Sequence, residues 1–411
     1  MRYLFTFILV ITAATCVIAQ QRSLDDYLQT ALRNSPLAKD LNNQILSAQI
    51  DSIRLRAGFK PIVTGNVGGL YAPIVKGYGY SDAITNGQML NMLVGVNKTF
   101  IGKNYLNAQN ASLGFQRDSL SNNIKLSEQD IRKAITAQYI AAYGSLAQQK
   151  FNQEVVDLLA QEEDLLKKLT RTNVYRQSDY LTFLVTLKQA QLQLAQSQLQ
   201  YKTDYATLNY LAGIADTTIL TLSKPELSRA YLIDRQNSIF FRQFKIDSMR
   251  IINQHQLIDY SYKPKFNVFA DGGYNSDLTA SYYKNFGVSA GFGLIVPIYD
   301  GGQRKLAHKQ VQLLENTRRN YLDFYNRQYT QQINQLQQQI NGYDALLNDI
   351  ENQFKYSESL IKVDTKLMQT GDLRIADLII AVNNYFAVKN LLTQNTISQL
   401  QLINQLNYWS K

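Results

Sequence analysis

The stretch GFGLIVPIYDGGQRKLAHKQ, residues 291–310, changes its hydrophobic period in the middle. Up to Pro297 the apolar residues occupy every second position, a pattern that predicts a β-strand. After Gly302 the stretch turns polar, and its larger apolar residues recur at helical intervals. The sequence therefore predicts a short strand that runs directly into a very long polar helix.

Four residues between this strand and this helix explain how the chain changes direction. Pro297 has no backbone N–H, and the ladder needs none where the strand ends. Gly301 and Gly302 lack the Cβ that would resist a sharp turn. Asp300 lies near the N-terminus of the predicted helix, where a hydrogen-bond acceptor and a negative charge are both favourable.

The first 19 residues predict a secretory signal peptide. One Arg is followed by an apolar run and then by small residues, and no stop-transfer pattern follows. Cys16, the only cysteine of the chain, lies inside this leader. Disulfides and thiolate metal sites are therefore excluded from the predicted mature protein.

The chain has 411 residues, with 42 Lys and Arg against 32 Asp and Glu. The cations are scattered along helical stretches, which indicates a solvated surface rather than a nucleic-acid partner. After residue 19 we find no apolar run of the roughly 18 residues that a membrane helix needs. Any part of the chain that spans a bilayer is therefore predicted to be β-strand.

The sequence repeats itself. Four residue pairs have the same separation along the chain: Asn34 and Asn237, Ser35 and Ser238, Lys60 and Lys263, and Pro61 and Pro264. A shared offset of this kind indicates a duplicated unit. We predict a first structural repeat over 20–213, a linker over 214–234 and a second structural repeat over 235–411.

Each repeat is predicted to run helix, strand, strand, long helix, helix. In the first repeat these elements cover 24–57, 62–71, 88–100, 105–170 and 179–213. In the second they cover 235–260, 265–275, 286–297, 303–367 and 378–409. The fold class is therefore mostly α, with a small antiparallel β part.

The four predicted strands alternate apolar and polar residues, as strands of a membrane β-barrel or of a soluble sandwich do. Four strands cannot close a membrane barrel, since about eight is the smallest number. An open edge in lipid would leave backbone N–H and C=O groups unpaired. If these strands enter a bilayer, several copies must therefore share one barrel.

The two longest predicted helices, 105–170 and 303–367, keep a narrow apolar stripe with spacings of three, four and seven residues, as coiled coils do. Each would extend roughly 100 Å at about 1.5 Å per residue. Two shorter helices stacked end to end would match this length. The helices together thus predict a tube.

With these features, the sequence resembles the TolC-like outer membrane efflux family across nearly the whole predicted mature chain. The resemblance lies in the duplicated halves, in NSP at 34–36, in KP before each first strand and in VPIYDGG at 296–302. RTNVY at 171–175 and MQTGDLRIADL at 368–378 resemble the two periplasmic tips of the family.

This resemblance implies a homotrimer in the cell outer membrane. Each protomer would give four strands to a shared transmembrane β-barrel, and its long helices would form an α-barrel that extends into the periplasm. The implied function is a passive exit duct of a tripartite efflux or type I secretion system, with a periplasmic adaptor protein and an inner membrane pump as partners. A periplasmic coiled-coil scaffold without channel activity is the alternative, although it leaves the four strands unexplained.

The resemblance also implies a constricted aperture at the tips, lined by acidic rings and tied by salt bridges. The candidates are Arg171, Tyr175, Arg176 and Asp179 at the first tip, and Gly371, Asp372, Arg374 and Asp377 at the second. We expect Asp372 or Asp377 to line the ring and an arginine to tether neighbouring helices. The alternative is a set of solvated turn charges worth under about 1 kcal/mol per pair.

The first tip departs from the family pattern. Tyr175 occupies the position after Asn-Val where the pattern has a Gly, and we predict a turn about two residues shorter than in the second half. Adaptor docking at this tip is therefore in doubt.

Catalysis finds little support in the sequence. The two histidines, His255 and His308, have no carboxylate cluster near them in the sequence, so we assign them structural roles. We predict no enzyme activity, no cofactor and no metal site.

Overall fold

A computed structural model describes residues 22–231, 234–278 and 281–411, apart from the side chain of Asp82. The predicted signal peptide lies outside the described residues. So do two residues of the predicted linker, 232–233, and two residues of the second hairpin loop, 279–280.

The described chain is mostly helical, with one small antiparallel sheet, as the sequence predicted. Its helices are α1 (Leu24–Asn34), α2 (Pro36–Ala57), α3 (Asp82–Thr85), α4 (Lys103–Arg171), α5 (Gln177–Ala212), α6 (Ile239–Ser261), α7 (Gln303–Thr370) and α8 (Ile375–Tyr408). Its strands are β1 (Ile62–Tyr71), β2 (Gln88–Phe100), β3 (Lys265–Ser276) and β4 (Phe286–Ile295). Two short 3-10 helices, Arg235–Asn237 and Tyr282–Lys284, complete the set.

Two predicted helices differ from the observed ones. The helix predicted over 24–57 is two helices, because the chain breaks at Ser35 before Pro36, and the Ser35 hydroxyl accepts a hydrogen bond from the Ala38 N–H (3.3 Å). The helix predicted from 235 begins as a 3-10 turn and becomes α-helical only at Ile239.

The chain divides into two compact units, each drawn from both predicted repeats. Unit 1 comprises the described parts of Met1–Lys39, Lys125–Phe240 and Asn326–Lys411. Unit 2 comprises Asp40–Ile124 and the described parts of Phe241–Tyr325. The repeat boundaries at 213 and 235 stay a prediction.

Unit 1 is helical and has two hydrophobic clusters. One joins α4, α5, α7 and α8 beside the turns that connect these helices. The other surrounds Tyr27 and Tyr139, whose rings meet edge to face at 5.8 Å between centroids. Both tyrosine hydroxyls are paired, to Asn209 Oδ1 and to the Ser223 carbonyl, so this core leaves neither of them unsatisfied.

Unit 2 contains the sheet, in the order β1-β2-β3-β4 with every neighbouring pair antiparallel. The central pair, β2 and β3, joins the two predicted repeats. The observed strands begin at the predicted residues and end within two residues of them.

One helix corrects the sequence analysis. By length and composition α8 is apolar enough to cross a membrane, and it is the only such helix among the described residues. Core helices of soluble proteins pass the same test, and α8 buries Leu378, Ala381 and Val382 in the unit 1 core. We therefore interpret α8 as a core helix.

Candidate functional site

One face of the sheet is apolar across all four strands, apart from Lys98 on β2, the cross-strand partner of Val268. Cross-strand partners share a face, so the registers place Val63, Val96, Ala270 and Ala290 in one row. The side chains of this face with the largest exposed fractions are Val288 (91%), Val67 (76%), Tyr71 (76%), Phe292 (76%) and Phe286 (74%). A contiguous exposed apolar surface of this size marks an interaction or membrane surface.

The opposite face of the sheet is polar and rich in glycine. Ser289 donates a hydrogen bond to Asp271 Oδ2 (2.7 Å) across β3 and β4. Phe269 interrupts the polar pattern, and its ring lies over Gly291, where an added Cβ would stand 2.5 Å from the ring. The glycine on β4 therefore makes room for the large side chain on β3.

The sheet has two open edges within the described chain. β1 pairs only with β2, and β4 pairs only with β3. Because the strands alternate in direction and are even in number, β4 of one copy could pair antiparallel with β1 of the next. The sheet is thus geometrically suited to closure by further copies.

The joint after β4 forms as the sequence predicted, although β4 ends at Ile295 rather than at 297. Gly301 (φ +65°) and Gly302 (φ +81°) both take the left-handed conformation. Asp300 accepts hydrogen bonds from the Gly302 N–H (Oδ1, 2.9 Å) and the Arg304 N–H (Oδ2, 2.7 Å). These bonds hold the pKa of the Asp300 carboxyl below its usual value. Asp300 therefore caps α7.

Asp300→Ala is expected to lower the unfolding temperature of the protein, because two N–H groups at the start of α7 lose their acceptor. Since the folded-state pKa is lowered, the stabilisation is present above the unfolded value of 3.8 and is lost as the pH falls through the folded value. Thermal unfolding at neutral pH and below pH 3.8 measures this. Asp300→Asn, which keeps an acceptor, is the control, and equal stability of both variants at neutral pH would contradict the capping role.

In unit 1, two turns correspond to the predicted tips: the first turn, 172–176, joins α4 to α5, and the second turn, 371–374, joins α7 to α8. The helix before each turn ends with an equivalent backbone hydrogen bond. In the first turn the Val174 N–H donates to the Leu169 carbonyl (3.0 Å), and in the second the Asp372 N–H donates to the Leu367 carbonyl (3.0 Å). This is the Schellman arrangement, with Asn173 (φ +59°) and Gly371 (φ +82°) as the left-handed residues.

The predicted shortening of the first turn is therefore wrong. Asn173 is the equivalent of Gly371, and Tyr175 is the equivalent of Leu373. Asn is the other residue that tolerates the left-handed conformation, so the turn closes without a glycine. Between its helices the first turn has one residue more than the second, because α4 ends one residue earlier.

After each turn the next helix starts with an Arg at the N-cap and an Asp three residues later, although the two Asp residues bind different groups of the Arg. Asp179 Oδ2 accepts from the Arg176 backbone N–H (3.2 Å). Asp377 accepts two hydrogen bonds from the Arg374 guanidinium, at 2.8 and 3.1 Å. Both carboxylates lie in the first helical turn, where the helix dipole favours a negative charge.

The two turns share one hydrophobic cluster in unit 1. Each inserts one buried side chain into it, Tyr175 from the first turn and Leu373 from the second. Burial raises the pKa of the Tyr175 hydroxyl. The turns also touch directly, because a Cβ added at Gly371 would stand 2.8 Å from Val174 Cγ1.

The remaining predicted tip residues lie at the surface. Arg171, Arg176, Asp372 and Arg374 are exposed, and Asp377 is half-buried beside Arg374. The structure thus brings Arg374 and Asp377 together within one turn. The proposed roles in an acidic ring and in tethering neighbouring helices stay predictions.

Two carboxyls near the turns, Glu162 on α4 and Asp364 on α7, are buried, and neither was predicted from the sequence. Each occupies a position of the apolar stripe, Glu162 between Leu159 and Leu166. A charged residue in a coiled-coil stripe was the available signal. Burial raises the pKa of both carboxyls, and for Asp364 the negative charge of Asp377 raises it further.

Asp364→Asn is expected to stabilise the protein at neutral pH relative to the wild type. Because the folded-state pKa of Asp364 is raised, its contribution is most favourable below the unfolded value of 3.8 and is lost as the pH rises through the folded value. Thermal unfolding across this pH range measures the difference between the two proteins. Asp372→Asn removes one exposed carboxyl from the second turn as the control, and a difference for Asp364→Asn that grows towards low pH would contradict the prediction.

The sequence matches no protein-family model and no curated protein. The fold, however, matches solved structures over nearly its full length. VceC, an outer membrane protein of Vibrio cholerae, is 13% identical at a TM-score of 0.74, over 94% of this chain and 96% of that one. The MtrE outer membrane channel of Neisseria gonorrhoeae, in its open state, is 11% identical at 0.75, over 94% and 88%.

CusC, whose structures concern folding and transmembrane channel formation, is 11% identical at a TM-score of 0.77, over 95% of this chain and 92% of that one. Likeness at such low identity concerns the fold. The chain has the TolC-like fold of these proteins, with long helices and a small antiparallel sheet.

Proposed function

We propose that this protein is a passive exit duct in the cell outer membrane that extends into the periplasm. The observation that carries the proposal is the sheet of unit 2, with one exposed apolar face, one polar face and two open edges. Lipid would cover the apolar face, and the polar face would line a water-filled lumen.

Sharing of one barrel between copies follows from the open edges. In hydrocarbon each unpaired backbone group costs several kcal/mol, so β1 and β4 need partners. Pairing of β4 with β1 of the next copy continues the antiparallel order. We propose a homotrimer with four strands per copy, a number taken from the family that the sequence resembles.

The proposed duct performs no chemistry of its own. The solved proteins of the same fold are channels rather than enzymes, which supports this assignment. By the family resemblance, energy would come from an inner membrane pump, and a periplasmic adaptor protein would connect pump and duct in a tripartite efflux or type I secretion system. The paired turns of unit 1 would then be the periplasmic end.

Cysteine cross-linking tests the shared barrel, because the predicted mature chain has no cysteine of its own. Thr64→Cys on β1 is combined in turn with Gly287→Cys, Ser289→Cys or Gly291→Cys on β4, all on the polar face. Oxidised outer membranes should yield covalent trimers for at least one pair. Each single variant is the control, and recovery of the protein as a soluble periplasmic monomer would reject the duct in favour of the scaffold.

Single-channel conductance tests the proposed roles of the tip charges. We expect Asp372→Ala to lower cation selectivity, because a charge repeated in every copy acts strongly on ions at a narrow pore. Arg374→Ala should raise conductance, because it removes the tether that the family resemblance implies between neighbouring helices at the aperture. Unchanged conductance and selectivity in both variants would leave these residues as solvated turn charges.

A further inference from the structure

A pocket in unit 1, with no part in the proposed duct, lies between α4, α8 and the predicted linker. Its volume is about 350 Å³. On its α4 wall, Leu146 belongs to the hydrophobic cluster that surrounds Tyr27 and Tyr139. Phe151, one turn further along, belongs to the cluster beside the two turns. The pocket therefore occupies the place on α4 where one cluster ends and the other begins.

The walls of this pocket are mainly apolar. Leu146 and Phe151 contribute buried side chains from α4, and Leu392 and Ile397 line the pocket from α8. Ile397 also occupies the space that a Cβ at Gly144 would need, so the two helices approach each other closely there. A concave and mainly apolar surface of this volume is typical of a small-molecule site.

The charged residues that line the pocket are mostly cations. Three of them are lysines, Lys150 on α4, Lys224 in the linker and Lys389 on α8, and one is a carboxylate, Glu154 on α4. None of the three ammonium groups has an ion-pair partner in the described part of the chain. Three cations against one anion leave an excess of two positive charges around an apolar pocket.

One of these ammonium groups is held in place by aromatic rings. Lys389 Nζ lies 5.6 Å from the ring centroid of Phe151 and 4.8 Å from that of Phe354, so both rings attract its charge. An ammonium group has three N–H donors, which an anionic oxygen accepts in strong charge-assisted hydrogen bonds. Lys389 therefore presents an ordered cation beside the apolar wall.

We propose that this pocket binds an anionic amphiphile, an alkyl chain that ends in a carboxylate, sulfate or phosphate group. The chain lies against the apolar walls, and the head group lies among the three lysines. A cationic head group would meet the excess positive charge, and a neutral one would leave the lysines without a counter-charge. The lining residues all belong to unit 1 of a single chain, so binding does not require the proposed trimer.

Photolabelling of the purified protein tests the proposal. The probe is dodecanoic acid with a diazirine on its chain, and the protein is held in nanodiscs of zwitterionic lipid. We expect saturable labelling within 143–154 and 389–400, mapped by mass spectrometry. Dodecanoate and dodecyl phosphate should both displace the probe, whereas dodecyltrimethylammonium should compete at least tenfold less well because of its positive charge.

Two results of this experiment would overturn the proposal. Labelling that does not saturate, or that lies only on the strands, would mean that the pocket binds no amphiphile. Equal competition by the anionic and cationic compounds would mean that the head group is not recognised. A protein that proves soluble is labelled in detergent-free buffer instead, so rejection of the duct leaves the pocket testable.

Variants assign the binding to the pocket and to its charges. Thr396→Trp puts a large side chain into the pocket and should abolish saturable labelling. Lys389→Gln should lower the affinity roughly threefold, and its combination with K150Q and K224Q should lower it at least tenfold. Lys188→Gln removes an exposed lysine of α5 that does not line the pocket and should leave the affinity unchanged. Unchanged labelling of Thr396→Trp, or wild-type affinity in the triple Lys variant, would contradict the proposed site.

Discussion

Val288→Lys is expected to prevent stable insertion of the proposed duct into the outer membrane. Val288 lies on β4, 91% exposed, on the apolar face of the sheet. A Lys on the lipid side of a membrane barrel costs about 2–4 kcal/mol at the midplane and less towards the interfaces. Val288, the third residue of β4, lies between these two positions. Each copy of the proposed trimer carries this cost, so trimers should be strongly depleted from the outer membrane fraction, as measured by membrane flotation and native electrophoresis.

The neighbouring residue supplies the matched control. Ser289 follows Val288 on the same strand but points to the opposite face, where it bonds with Asp271. Ser289→Lys puts the same charge beside a carboxylate and, in the proposed trimer, into water. It should assemble nearly as the wild type does. Equal tolerance of the two substitutions, or equal loss of trimer in both, would contradict the assignment of the faces.

This pair of variants relies on strand alternation, which the sequence alone predicted well. Alternation and helical period are local properties, and they located all four strands to within two residues at either end. The joint after β4 was also predictable, because Asp300, Gly301 and Gly302 act on backbone within four residues of themselves. Local signals suffice where the physical cause is local.

Contacts between distant elements were not predictable in this way. His255 and His308 have no repeat relation and meet only because α6 packs beside α7. Phe269 interrupts the polar face of the sheet, and the reason for it, the open space over Gly291, lies on another strand. In each case the partner is chosen by tertiary packing, which a single sequence does not display.

The length of the first turn was predicted wrongly for a different reason. The family pattern directed attention to a glycine, and Tyr175 in its place suggested a shortened turn. The backbone needs only a residue that tolerates positive φ, and Asn173 meets that need two positions earlier. The two turns are therefore alike in backbone and different in side chain, which decides how each responds to substitution.

Gly371→Ala is expected to destabilise unit 1 by about 2 kcal/mol. An Ala held at φ +82° loses roughly 1–2 kcal/mol relative to Gly. Its Cβ would also stand 2.8 Å from Val174 Cγ1, a separation that Cβ atoms do not adopt, and the β-branched Val174 has few rotamers with which to withdraw. Denaturant unfolding followed by near-ultraviolet circular dichroism measures the loss.

Two further variants separate backbone strain from steric contact. Asn173→Ala tests the equivalent backbone position and should cost about 1 kcal/mol, since Asn already carries part of the left-handed penalty. Val174→Ala removes the colliding methyl groups, so Gly371→Ala should cost less in that background than in the wild type. The difference is the coupling energy between the two turns. Purely additive effects would mean that the turns do not press on each other and that Gly371 is required for its φ angle alone.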